Sequence, residues 1–179
     1  MSMSERPISA LRAALSSQSI ERAITVLAES TSATVILFDE RGEVIFGPAA
    51  GSAFVRCLLS TPAGQEAVVA AHRCAAHDDE CMDRKHEHSV LGELGLDHFA
   101  TPVIISGERL GTLTLGDRPR QELAKLKVSR IALATGVDVE ELEQAALALP
   151  AWSASEAAAA RNLVALLADL MAELAMQEE

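Results

Sequence analysis

The sequence predicts an α+β fold, and three observations predict it. Apolar residues at both ends of the chain recur at helical spacing. Two pairs of short runs rich in β-branched residues each enclose a cluster of turn-forming residues. The stretches between and after these pairs return to helical spacing, so the order is helix, two strands, helices, two strands, helices. Strands that come in adjacent pairs form antiparallel hairpins. An alternating strand–helix–strand order would instead have implied a doubly wound parallel sheet, so the expectation is an antiparallel sheet with helices on one face.

Each element has its own signal. "SERPISALRAAL" starts a helix, with Ser4 as cap and Ile8, Leu11 and Leu15 behind it; "SSQS" interrupts, and Ile20, Ala23, Ile24 and Leu27 resume the spacing. Residues 33–47 read as two strands around a turn at Asp39–Gly42. "SAFVRCLLS", residues 52–60, is a short helix, and Thr61-Pro62 is a cap followed by proline at the first position of the next one. Residues 98–117 form the clearest hairpin, turning at Ser106–Glu108. Gly136 ends a helix over 121–135, Asp138 with Glu141 and Ser153 with Glu156 begin the next two, and Pro150 separates them. The last helix carries Ala160, Leu163, Leu167, Leu170 and Leu174 in alternating steps of three and four, the spacing of a helix that pairs with another. The expected division is a helical segment over 1–30, an α+β domain over 31–150 and a C-terminal helix over 151–179 that joins two copies into a homodimer.

Composition excludes several classes. With 49% hydrophobic residues the chain of 179 has enough apolar material for a core, built from Leu, Val, Ile and Ala because aromatics make up only 3%. A net charge of −11 without any Lys/Arg cluster excludes nucleic acid and anionic membrane surfaces as partners. No apolar run approaches the length of a membrane span, no secretory leader opens the chain, and an odd number of cysteines (three) makes no disulfide framework, so a reducing cytoplasm is expected. No nucleophile elbow, phosphate-binding loop, dinucleotide fingerprint or zinc-protease motif is present, and the reading is a protein without catalytic activity.

"AFVRCLLSTPAG" (53–64), "GLDHFATPVIISGERLGTLTLGD" (95–117) and "GVDVEELEQAALALPAWSASE" (136–156) together resemble the sensory domain named after the regulator PocR. The resemblance implies a PAS/GAF-like antiparallel sheet of four or five strands with flanking helices and long terminal helices. It also implies a sensor of small, mostly uncharged molecules of the hydrocarbon-derivative class, such as diols. Members of that family commonly precede a DNA-binding or kinase module. None is legible in these residues, so the signal would pass to a separate regulatory protein. Members also often carry three cysteines. Cys57 matches the first, whereas the other two positions fall near Val68 and at Gly92.

The expected ligand pocket lies between the sheet and helix 52–60. Phe38, Phe54, Cys57, Leu58, Phe99, Thr101, Thr112 and Thr114 are its candidate wall, the apolar residues excluding water and the Thr hydroxyls offering hydrogen bonds. Ordinary strand propensity explains any single Thr equally well. A second constellation is "HRCAAHDDECMDRKHEH", residues 72–88, with four of the five histidines. Cys74, His77 and Cys81, with Cys57 from the earlier helix, are candidate ligands for zinc or iron. One unbroken helix would hold Cys74 and Cys81 about 10.5 Å apart along its axis, too far to share an ion, so a metal site requires a helix break between them. A polar surface helix explains the stretch without metal. A metal, iron–sulfur or thiol-redox sensor and a non-catalytic dimerisation adaptor are the alternative functions.

Overall fold

The computed structural model describes residues 18–77 and 90–177. The elements are α1 (Gln18–Thr31), β1 (Thr34–Asp39), β2 (Val44–Ala50), α2 (Ala53–Leu58), α3 (Pro62–Ala76), a 3-10 turn (Gly92–Leu94), β3 (Leu96–Ile105), β4 (Glu108–Pro119), α4 (Lys125–Thr135), α5 (Val139–Leu147) and α6 (Ala154–Gln177). The strands make one antiparallel sheet of four in the order β2-β1-β4-β3, so the fold is α+β as expected. Ser4 and the first helical stretch, with Ile8, Leu11 and Leu15, lie outside the described residues, as do Cys81, His86 and His88.

Local chemistry closes both hairpins. Asp39 Oδ1 accepts from the backbone N–H of Arg41 at 2.8 Å and of Glu43 at 2.9 Å, the way an Asp side chain stands in for a backbone turn. The second hairpin turns on Ser106 and Gly107 with φ of 52° and 84°, and two successive positive φ values make the turn whose twist matches paired strands. The helix caps stand where the sequence puts them. Ser52 Oγ accepts from Val55 N–H, Thr61 Oγ1 from Gly64 N–H and Asp138 Oδ1 from Glu141 N–H. Ser153 and Glu156 exchange hydrogen bonds reciprocally ahead of α6.

The helices cover both faces of the sheet, and the one-face layer expected from the order of elements is corrected here. β1 and β4 are the two central strands, and both are buried almost throughout. Val35, Leu37, Leu113 and Leu115 point to one side, into a core with Ile20, Ile24 and Leu27 of α1 and Val164, Ala168 and Met171 of α6. Ile36 and Phe38 point to the other, into a core with residues of α2, α3, α4 and α5. A strand apolar on both faces needs cover on both faces, because side chains alternate along it.

Buried Arg118 fastens this arrangement. Its Nε and Nη2 donate to Pro150 O at 3.0 and 2.8 Å, Nη1 donates to Thr31 O, and the guanidinium lies 4.9 Å from the Trp152 ring centroid. One side chain thus joins β4, the end of α1 and the approach to α6. No helix among the described residues is long and apolar enough to cross a membrane.

Candidate functional site

Three titratable side chains converge inside the protein. His72 faces the sheet because α3 buries the stripe Val68, Ala71, His72, Ala75 and Ala76. His98 stands near the start of β3, the edge strand, and Asp117 near the end of β4. His72 and Asp117 are fully buried, and the side chain of His98 is 5% exposed.

A β-bulge places the carboxylate. The β3–β4 register passes from Asp97 opposite Arg118 to His98 opposite Gly116, so Asp117 is the extra residue, with φ of 64°. A bulge bends the strand and re-aims a side chain, and Asp tolerates the left-handed region better than most residues with a Cβ. Strict alternation from Gly116 would send Asp117 to the α6 side of the sheet. Instead it meets both histidines on the α3 side. Gly116 leaves the room they need: a Cβ there would stand 2.3 Å from His98 Cδ2.

Asp117 Oδ2 lies 3.0 Å from His72 Nε2, and Asp117 Oδ1 lies 2.9 Å from His98 Nε2. The imidazoles meet edge to face, with centroids 4.8 Å apart. Behind His72, Thr114 Oγ1 donates to Ile36 O at 3.0 Å and lies 2.8 Å from His72 Nδ1. Burial holds the pKa of His72 below its ordinary value, against the raising effect of the Asp117 charge. Burial pushes Asp117 up, but the charges and hydrogen bonds of His72 and then His98 outweigh it. Its carboxyl therefore lies far below the usual carboxylate range.

His98 also lines a cleft of about 400 Å³ that wraps around the free edge of β3. Ala71 of α3 and Leu91 wall one side, Phe99 and Arg161 of α6 the other, and Leu96, Asp97 and Arg120 continue along the strand. Phe99 is fixed by stacking on Trp152 at 5.7 Å, and the Arg161 guanidinium lies 4.6 Å from the Phe99 centroid.

The eight candidate pocket residues divide between environments. Phe38, Phe54 and Leu58 are fully buried in the core beneath α2, and Cys57 packs at its margin. Thr112 and Thr114 face the same side, their hydroxyls engaged by Arg109 and by Ile36 O with His72 respectively. Phe99 and Thr101 pair with Leu115 and Leu113, which places them on the opposite face of the sheet. Between the sheet and α2, the side chains of Ile36, Phe38, Phe54, Val55 and Leu58 belong to one buried cluster. Of the eight, Phe99 alone borders the β3 cleft; Phe38 and Thr112 border a smaller hollow of about 220 Å³ beside His77.

The candidate metal residues stand as follows. α3 ends at Ala76 with His77 as its C-cap, and Cys74 is half-buried in its last turn. Cys57 Sγ lies 3.6 Å from Glu141 Oε1; burial, then the Glu141 charge and hydrogen bond, push its pKa up and keep it a thiol, the weaker form for binding metal. Among the described residues, the group of three His, Cys, Asp or Glu side chains with ligand atoms close enough to share an ion is His72, His98 and Asp117, all within 4.8 Å of one another. Sequence reading counted His72 among the histidines of its stretch and passed over His98 and Asp117. Asp117 is 45 positions from His72 and 19 from His98, so no local spacing signals the cluster.

Comparison with known proteins gives one result. The family model described as the sensory domain found in PocR matches residues 14–176. Searches of curated proteins and of solved structures returned no significant match. The two pairs of strands, the helices that flank them and a family match over nearly the whole length agree, and the chain belongs to the family of PocR sensory domains.

Proposed function

We propose that this sensory domain binds a small, mainly uncharged molecule in the cleft at the edge of β3 and passes the change to a signalling partner through α6. The observation that carries the reading is the cleft itself. Its volume of about 400 Å³ lies in the ordinary range of small-molecule sites. Leu91, Leu96 and Phe99 offer an apolar wall, while His98 and Arg161 offer a few polar handles, a pattern suited to a short hydrocarbon body bearing oxygen groups. The cleft is bounded by α3 on one face of the sheet and α6 on the other. A ligand that prefers one spacing of these helices would shift the population toward it.

The test is thermal stability against a panel of diols, short acids and other hydrocarbon derivatives. A true ligand at a hundred times its Kd should add about 2.7 kcal/mol of stability. Phe99→Trp should fill part of the cleft and abolish the response. Arg161→Ala, at an exposed position, should weaken it without touching the core. A panel that never moves the Tm, or a response unchanged in both variants, would sink the reading.

The same proposal has α6 join two copies. Ala160 is buried against the sheet and Leu167 packs on the core, but Leu163, Leu166, Leu170 and Leu174 are 45, 55, 45 and 41% exposed. They form a continuous apolar stripe on the outer side of one helix, the kind of patch that marks an interaction surface. A two-fold homodimer is the commonest use of such a face. Light scattering at micromolar concentration should report twice the chain mass of 18.9 kDa, and Leu170→Glu should return the monomer with its circular dichroism unchanged. A wild-type monomer at that concentration would refute the dimer.

A further inference from the structure

The hydrogen-bond inventory around His72 leaves one atom in need of an explanation. Thr114 has a single hydroxyl proton, and Ile36 O, which can only accept, takes it at 3.0 Å. With that bond kept, His72 Nδ1, 2.8 Å from the same hydroxyl oxygen, is the donor; with the hydroxyl turned to His72 instead, Nδ1 accepts and Nε2–H donates to Asp117. A neutral imidazole carries one proton. With that proton on Nδ1, the lone pair of Nε2 points at Asp117 Oδ2, 3.0 Å away, which also brings a lone pair. Two acceptors at that distance inside a protein repel unless something positive lies between them.

In the first arrangement a cation between the two atoms would remove that repulsion. A cation would be met by more than one atom, since His98 Nε2 lies 2.9 Å from the other carboxylate oxygen and the three ligand atoms lie within 4.8 Å of one another. The Nδ1–H bond to Thr114 is also the outer support that metal-bound histidines use to hold their tautomer and orientation.

We propose that His72, His98 and Asp117 bind one divalent transition-metal ion of the zinc or iron(II) class through two imidazole nitrogens and a carboxylate. The donor set suits that class: imidazole and carboxylate bind zinc at about 2.0–2.2 Å, and two histidines with one carboxylate also serve iron(II). At such bond lengths no two ligand atoms stand more than about 4.2 Å apart, so closure onto an ion needs movements of no more than about an ångström. His98 belongs both to this cluster and to the cleft wall, so an ion held here would stand beside the cleft. Three protein ligands leave at least one coordination position for a water or another oxygen. The ligand set contains no cysteine, and its binding of metal does not require the cleft to take an organic ligand.

The experiment uses the full chain, stripped with a chelator that is then removed, and titrated with cobalt(II) or zinc(II). One equivalent of cobalt should bind and develop ligand-field absorption without the intense near-ultraviolet band of a thiolate. Zinc should raise the Tm. Asp117→Asn is nearly isosteric, and its amide can donate to His72 Nε2, so this variant should fold and lose metal binding. Thr114→Val, which removes the outer support together with the hydroxyl's bond to Ile36 O, should weaken binding by about 10–100-fold. The triple Cys→Ser variant at Cys57, Cys74 and Cys81 should bind as the wild type does. No spectral change and no Tm shift with either metal would overturn the proposal. So would unchanged cobalt binding in Asp117→Asn, or loss of binding in the triple cysteine variant.

Discussion

Gly51→Ala should destabilise the protein by more than about 4 kcal/mol, the exceptional end of single-residue effects and a large part of the roughly 5–15 kcal/mol that holds a domain together. A Cβ at Gly51 would stand 1.7 Å from Ala28 O, 2.4 Å from Ala28 C and 2.7 Å from Ala33 O. These are backbone atoms and cannot rotate aside. They are also tied down: Gly51 N–H donates to Ala33 O at 2.9 Å and Ala33 N–H to Ala28 O at 3.1 Å. Relief requires moving the end of α1 away from the end of β2. Gly136→Ala is the contrast. Nothing lies within 4 Å of a Cβ there, and only its φ of 71° resists the change, so the cost should be about 1–2 kcal/mol. Urea unfolding of both variants checks the pair; equal losses would mean that close approach at Gly51 is not what demands glycine.

Phe38→Ala should cost about 3–5 kcal/mol, the loss for truncating a buried aromatic in a packed core. Phe38 is fully buried between the sheet and the helices that include Phe54 and Leu58. Its expected role as pocket wall makes a different forecast, in which ligand response changes and stability of the free protein barely moves. Leu133→Ala removes an equally apolar group from a position 75% exposed and should stay within about 0.5 kcal/mol. A loss below about 1 kcal/mol at Phe38 would mean that the core beneath α2 is loosely packed and able to admit a ligand after all.

The Asp117 cluster places a demand on the same side of the sheet. A carboxylate, two imidazoles and a threonine hydroxyl occupy a layer that is mainly apolar. Buried polar groups are costly unless each is satisfied, and a partly satisfied network costs more than apolar packing would. The bulge at Asp117 is a local departure from regular strand structure, and the glycine beside it leaves room for His98. Their effect is to bring the carboxylate and His98 to His72.

Secondary structure was legible from the sequence because its signals are local. Ser52, Thr61, Asp138 and the Ser153–Glu156 pair cap helices with bonds that span three residues, and Asp39 with Gly42 makes a turn whose chemistry is complete within five. The pairing of strands into hairpins followed from the short turns, and the family followed from the order of these pieces. The layering did not follow. Residues 34–38 read simply as apolar, and an apolar run does not say whether one face or both will be covered; only the central places of β1 and β4 decide that. Nor did the site. Phe99 and Thr101 belong to the opposite face from Thr112 and Thr114 because of the β3–β4 register. His72, His98 and Asp117 meet because a helix crosses that sheet and one extra residue turns a side chain over. Register, crossing and bulge are relations between distant segments, set by what packs best in three dimensions. Local patterns assign helix, strand and turn; packing between distant segments assigns which side chains share a face and which three meet.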